Sequence, residues 1–308
     1  MAGERRISLR FLALGMLLLA ACRSESVDPA PRVAPNDGTV TVGSFDFAEN
    51  ELLAELYSQA LEAGGYDVRR AFKLGPREFV SPALARGLVD LVPEYAGTAL
   101  AFLSLGALQP GPDVAGTHAD LVRTLAQGDL TALAAAPAQD TNTFVLTRPT
   151  AERLKVSTLS DLAAAAPQLT FGGPPECPTR PYCLAGLERV YGLRFKEVVP
   201  LDAGGPLTRQ ALHEGGVDVA LLFTTDPAVG GEDFVELVDD RRLQPADNVT
   251  PLVRREVVAR AGPRLSQVVD SVSGRLSTDA LRALNAMVEE GVAVPAVAAS
   301  WLRAQGLP

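Results

Sequence analysis

The sequence predicts an α/β protein built as two lobes with a ligand cleft between them. Three observations carry this reading. Short apolar, β-branched runs alternate with stretches that keep their apolar residues at helical spacing. That alternation occurs twice, once from about residue 39 and again from about residue 142. In both sets aromatic and small polar residues follow directly after strand ends, which is where open α/β sheets bind ligands. The 308-residue chain is 47% hydrophobic and 21% charged, enough apolar material for two cores.

The N-terminus predicts export. Arg5, Arg6 and Arg10 precede Phe11–Ala21 (FLALGMLLLAA), an apolar run too short to cross a bilayer of about 30 Å. Residues 1–21 read as a signal peptide. Leu19-Ala20-Ala21-Cys22 looks like a bacterial lipobox, so Cys22 is expected to carry a lipid; a plain secretory signal with an incidental cysteine is the alternative. Residues 22–38 are polar and rich in proline without periodicity, and read as a tether.

The first strand–helix set follows. Val40–Ser44 is a short β-branched run. Glu49–Ala63 places Leu52, Leu53, Leu56, Ala60 and Leu61 on one helical face until Gly64-Gly65 stops it. Asp67–Leu74 reads as a strand, Arg77–Arg86 as a helix and Asp90–Val92 as a strand ended by Pro93. This βαβαβ order implies a parallel sheet. Ser44-Phe45 and Pro93-Glu94-Tyr95 both follow strand ends and should share one cleft.

The second set opens with the strand Asn142–Thr147. Thr158 and Asp161 resemble a capping box at the start of the helix SDLAAAA. Leu169–Phe171 is a strand, Leu184–Tyr191 and Thr208–Glu214 are helices, and Val217–Phe223 is a buried strand ending in Thr224-Thr225-Asp226. Beyond Asp247 the chain reads NVTPLVRREVV and then three helices that close on Trp301.

Cys177 and Cys183 flank PTRPY. An even pair in an exported chain favours a disulfide over a metal site, since two thiols without nearby histidines leave zinc short of ligands. Formal net charge is −9. Residues 1–21 carry a net +2, which leaves −11 on the remainder and argues against a nucleic-acid partner. His118 and His213 lie in helix-patterned stretches beside no nucleophile signature, and no GxSxG, HExxH or P-loop is present. An enzyme, a cofactor and a metal are therefore not expected. Arg254-Arg255-Glu256 reads as a solvated surface, and Glu94 as a cap for local backbone donors.

In order, GSFDFAENELLAELYSQALEAGGYDV, LGPREFVSPALARGLVDLVPEYAGTAL, LTFGGPPECPTRPYCLAGLERVYGL, FTTDP and TPLVRREVV resemble the extracytoplasmic substrate-binding proteins of osmoprotectant ABC transporters. These are the choline, glycine betaine and carnitine binders of the OpuBC and ProX type. The match spans Thr39 to Leu307, and LVPEY-x-GT is its most specific element. The resemblance implies the type II periplasmic-binding-protein fold, with residues 39–141 plus 247–308 forming lobe 1 and 142–246 lobe 2. It also implies a lipid-anchored, monomeric chain outside the cytoplasmic membrane that hands its solute to a permease.

Such proteins hold quaternary amines by cation–π attraction, because a trimethylammonium head donates no hydrogen bonds. By position, Tyr95 matches the box tyrosine, Thr98 a nearby hydroxyl donor, and Arg180 an arginine that contacts a carboxylate tail in some members. Phe144 stands where relatives have a second tyrosine, with Asn142 and Thr143 beside it, and Phe223 stands where another ring is expected. Two positions depart from the pattern. Phe45 replaces a lysine, and Asp247-Asn248-Val249-Thr250-Pro251 replaces a tyrosine pair, which puts Phe45 and Asn248 in the expected site. Tyr57, Tyr66, Tyr182 and Tyr191 fall outside the usual box positions. The ligand is thus expected to be a quaternary amine, with a different aromatic or zwitterionic solute, or a sensor role, as alternatives.

Overall fold

A computed structural model describes residues 38–307. Signal-peptide residues 1–21, Cys22 and almost all of the tether lie outside them. Lobe 1 contains β1 (Val40–Gly43), α1 (Ala48–Ala63), β2 (Val68–Ala71), α2 (Arg77–Arg86), β3 (Leu91–Tyr95), α3 (Ala96–Leu103), α4 (Val114–Leu125) and β4 (Leu130–Ala132). The chain then builds lobe 2 from β5 (Asn142–Thr147), α5 (Arg148–Leu154), α6 (Leu159–Leu162), β6 (Thr170–Gly173), α7 (Leu184–Tyr191), β7 (Glu197–Pro200), α8 (Pro206–His213), β8 (Val219–Phe223) and β9 (Phe234–Glu236). It returns to lobe 1 with β10 (Val249–Arg254), α9 (Arg255–Ala261), α10 (Pro263–Ser273), α11 (Thr278–Glu289) and α12 (Val294–Ala304).

The two sheets share one connectivity. Their orders are β2-β1-β3-β10-β4 and β7-β6-β8-β5-β9. In each, four strands run in one direction while the strand that leaves a crossover, β10 or β5, runs antiparallel to its neighbours. The purely parallel sheet expected from the βαβαβ order is therefore half of the answer, because a chain returning through a crossover enters the sheet from the opposite end. Leu52, Leu53, Leu56 and Leu61 of α1 are wholly buried under sheet 1, as their helical spacing requires, and a separate core around Phe171, Leu159 and Leu187 fills lobe 2.

Pro93 does not end its strand: β3 runs through it to Tyr95. Pro93 faces Pro251 across the antiparallel pair. The Pro93 carbonyl accepts from Asn50 Nδ2 at 3.0 Å, and that of Pro251 from the Leu133 N–H at 2.9 Å. Both rings thus turn their missing N–H away from each other, so no bond between β3 and β10 is lost, and the Leu133 carbonyl that Pro251 cannot serve is met by His118 at 2.8 Å.

The crossovers lie side by side. Ala136 N–H donates to Val249 O at 2.8 Å, Val249 N–H to Ala138 O at 3.0 Å, and Asp140 N–H to Asp247 O at 3.1 Å. Four helices, not three, follow β10. Gly262, with φ +75°, and the Pro263 behind it split the first of them into α9 and α10. The Thr158–Asp161 capping box forms, but its helix stops at Leu162. Arg254 is not solvated: it pairs with Asp90 at 3.1 Å, its side chain only 13% exposed.

Candidate functional site

A cavity of about 550 Å³ opens between the lobes, within the usual size of small-molecule sites. Its lobe 1 wall begins where β1 ends. Phe45 and Phe47 lie in the bent connection between β1 and α1, and Tyr95 at the end of β3 adds a third ring. The Phe45 and Phe47 rings stack at 5.9 Å and 20°, those of Phe47 and Tyr95 at 6.2 Å and 25°. Phe45 is fixed from behind: its N–H donates to Asn50 Oδ1 at 2.8 Å. Phe47 is 42% exposed in the cleft. Sequence reasoning passed over it, because its place beside Phe45 comes from the bend at Asp46-Phe47 and not from a periodic pattern.

Beside the rings lie three carboxyl groups, the buried Glu49 and Asp247 and the half-buried Asp140. The Tyr95 hydroxyl donates to Glu49 Oε1 at 2.7 Å, and Asn285 Nδ2 to Glu49 Oε2 at 2.6 Å. The Thr225 hydroxyl donates to Asp140 Oδ1 at 2.8 Å, joining lobe 2 to the first crossover. Burial raises the pKa of Glu49 and Asp140, and the Glu49 charge adds to the rise at Asp140. Burial also pushes the Tyr95 phenol well above its ordinary range, with the Glu49 charge second. Asp247 accepts from Thr98 N–H at 3.0 Å; burial lifts its carboxyl to about 6, against the pull of the Thr98 amide and the Arg77 charge.

Thr98 is close to the cavity but committed. Its hydroxyl accepts from Arg77 Nη2 at 2.9 Å and reaches Asp247 Oδ1 at 3.4 Å. Arg77 also forks onto Glu94, Nε to Oε1 and Nη2 to Oε2 both at 2.9 Å, and lies over Phe45, 5.6 Å from the ring centroid. Glu94 therefore has a larger part than capping, though it does accept the Tyr95 N–H at 3.0 Å.

Lobe 2 supplies the facing wall. Phe223 lines the cavity at the end of β8, its ring seated where a Cβ on Gly204 would stand at 2.7 Å. Asn142 lines it at the start of β5 and donates to Tyr182 O at 3.0 Å. Cys177 and Cys183 form a disulfide. The loop it closes brings Arg180 and Tyr182 to the cleft: Arg180 meets Glu78 of lobe 1 at 3.6 Å, and the Tyr182 hydroxyl reaches Pro110 O at 3.3 Å. Tyr182, set aside in the sequence, thus lines the cavity and touches both lobes.

Two expected site residues are corrected. Phe144 is 2% exposed and packs 6.2 Å from Phe171 in the lobe 2 core. It lies two residues deeper in β5 than Asn142, about 7 Å along the strand. Asn248 faces away from the cavity and donates to Ala136 O at 2.8 Å. The side chain at the cleft is that of Asp247, because adjacent residues of an extended segment point to opposite sides. His118 bonds Leu133 O at 2.8 Å, and His213 ends α8 in solvent. Among the described residues no cluster of His, Cys, Asp or Glu is arranged for a metal, and no helix is long and apolar enough to cross a membrane.

Comparison with known proteins gives the family and the fold. A glycine-betaine-binding protein of Pseudomonas aeruginosa is 31% identical over 279 residues, 86% of this chain and 87% of that one. The glycine betaine-binding protein YehZ of Escherichia coli is 29% identical, covering 87% and 90%. A crystal structure described as a glycine betaine/carnitine/choline ABC transporter superposes with a TM-score of 0.74 at 23% identity, over 87% of this chain and 99% of that one. Apo YehZ gives 0.68 at 26% identity over 88% and 99%. Residues 38–304 match the OpuAC model, and the chain belongs to that family, the substrate-binding domains of ABC-type glycine betaine transport systems.

Proposed function

We propose that this protein captures a quaternary amine or a related organic cation in the interlobe cavity and delivers it to an ABC transporter permease. The observation that carries the reading is the row of Phe45, Phe47 and Tyr95 rings standing over the buried Glu49, with Asp140 and Asp247 lining the same cavity. Ring faces attract a desolvated cation with about 0.5–2 kcal/mol each, and carboxyl groups behind them deepen the negative potential. Phe223 and Tyr182 complete the enclosure from lobe 2, so a bound solute would draw the lobes together.

The same reading has the mature chain outside the cytoplasmic membrane as a monomer, held by a lipid on Cys22. Thermal unfolding of the purified protein with choline, glycine betaine and carnitine tests solute capture, because a ligand that binds only the folded state raises its stability by mass action. A rise in Tm with at least one of them is expected; no rise with any would refute the reading. Mass spectrometry of membrane-extracted protein checks for acylated Cys22.

A further inference from the structure

α11 belongs to lobe 1, yet one of its faces is turned to lobe 2. Its apolar residues Leu281 and Leu284, with Met287 and Val288, pack into the lobe 1 core. Thr278, Arg282, Asn285 and Glu289 recur at steps of four, three and four residues, which sets them in one line on a separate face. The Thr278 hydroxyl accepts the N–H of Gln139, in the first crossover, at 3.0 Å and donates to its carbonyl at 3.3 Å. Arg282 donates Nε and Nη2 to the Thr224 carbonyl at 3.2 and 2.6 Å. Asn285 Nδ2 donates to Thr225 O at 3.2 Å. Glu289, at the far end, pairs with Arg209 of α8.

These contacts are hydrogen bonds and an ion pair. Such a joint comes apart into water at small net cost, because each group finds a new partner there, whereas an apolar joint would expose its surface. The charges are arranged for release. Arg209 Nη1 also holds Asp226 at 2.9 Å, a pairing inside lobe 2 whose side chains are 17% and 5% exposed. The guanidinium is therefore not orphaned when Glu289, 42% exposed, withdraws. Thr278 sits at the crossover, and Glu289 stands about 16 Å farther along the helix, so a swing of the lobes displaces the Arg209–Glu289 pair most. The joint also touches both walls of the cavity. Thr224 directly follows Phe223, and Asn285 Nδ2 holds Glu49 Oε2 at 2.6 Å, the carboxyl group that takes the Tyr95 hydroxyl.

We infer that this polar stripe of α11 is a releasable latch between the lobes. It favours the arrangement in which they stand together, lets go when they part, and so sets how long a solute is retained. The same arrangement brings Arg180 to Glu78 and the Tyr182 hydroxyl to Pro110 O across the cleft, so lobes that swing apart about the crossovers give up the mouth contacts and the latch together. Asn285 is the positioning residue of the device: one amide nitrogen serves the carboxyl group behind the box tyrosine and the lobe 2 backbone behind Phe223. The latch goes beyond solute capture and holds whichever solute is bound.

Stopped-flow release of solute and small-angle X-ray scattering of the ligand-free protein test the latch in two variants. Glu289→Gln removes the charge that reaches across, and Arg282→Ala/Glu289→Gln also removes the grip on Thr224. The solute is whichever of choline, glycine betaine and carnitine raises Tm most. Release is expected to quicken about threefold in Glu289→Gln and about tenfold in the double variant, with the association rate within about twofold of wild type. The ligand-free variants are expected to have a larger radius of gyration, while the Tm of Glu289→Gln stays near that of wild type because Arg209 keeps Asp226. Release as slow as in wild type, or slower, overturns the latch and leaves solute capture standing. Should none of the three solutes bind, solute capture falls, and the scattering alone decides the latch: radii equal to wild type, or smaller, overturn it. Should the double variant fail to fold, Glu289→Gln carries the test, since its side chain is half exposed.

Discussion

The Tyr95 hydroxyl donates to Glu49 Oε1 at 2.7 Å, so the ring that faces the cleft is anchored by a carboxyl group at the first turn of α1. The same tyrosine therefore has two separable contributions, a π-face and a donor. Tyr95→Phe keeps the face and leaves Glu49 Oε1 without its donor. It is expected to cost about 1–3 kcal/mol of stability with a small change in affinity. Tyr95→Ala removes the face and is expected to abolish binding. Tyr57, fully buried and bonded to Ser273 rather than near the cleft, is the control: Tyr57→Phe is expected to bind normally. Urea unfolding and titration calorimetry on the three variants separate these effects.

Asp247 titrates at about 6 in the folded protein against an ordinary 3.8, because burial disfavours its charge. The folded state therefore holds a proton that the unfolded chain gives up. Its contribution is fully present below pH 4 and is lost as pH rises through about 6, which amounts to roughly 3 kcal/mol at about 1.4 kcal/mol per unit. Glu49 and Asp140 shift the same way and act in the same direction. The ligand-free protein is expected to lose stability between pH 4 and 7, and Asp247→Asn to lose less and to be the more stable protein at pH 7.5. Unfolding curves at several pH values check this; parallel pH profiles for the two proteins would contradict it.

Gly97 stands two residues past Tyr95 because the second crossover passes too close for a side chain. A Cβ there would meet Pro245 Cβ at 2.8 Å and Ala246 O at 2.9 Å. Gly97→Ala is expected to destabilise by about 1–3 kcal/mol, and to loosen binding by pushing Asp247 away from Thr98. Thermal unfolding and a choline titration measure the two effects.

The Cys177–Cys183 disulfide closes a loop of seven residues that lines the cavity. For so short a ring, loop-entropy reasoning gives about 2 kcal/mol. Replacing both cysteines by serine is expected to lower Tm accordingly and to speed ligand release, since Arg180 and Tyr182 lose their fixed platform. Stopped-flow dissociation in the variant and the wild type tests the second expectation.

Much of the fold was legible because it rests on local pattern. α1, α2, α7 and β5 fall within a residue of the spans that their periodicity and stop signals define. The order of strands and helices likewise pointed to two lobes. What periodicity could not give was strand direction, since β5 and β10 are antiparallel only because each enters from a crossover. Nor could it show β3 running through Pro93, which depends on a partner proline more than 150 residues away.

The site was legible unevenly for the same reason. Tyr95, Phe45, Asn142, Arg180 and Phe223 sit at strand ends or in the cysteine loop and do reach the cavity. Phe144 and Asn248 miss it by a matter of depth or alternation within an extended segment. Glu49, Asp140 and Asp247 gave no motif, and their character comes from burial that only the assembled lobes create.

The paired crossovers have a mechanical consequence. Two strands laced together at Ala136–Val249, Ala138–Val249 and Asp140–Asp247 form a flat ribbon, and a ribbon bends across its thin dimension far more easily than it shears or twists. The lobes it joins are thereby restricted to something near a single swing axis. Asp140 and Asp247 sit on that ribbon, so groups that line the cavity are also parts of the flexure.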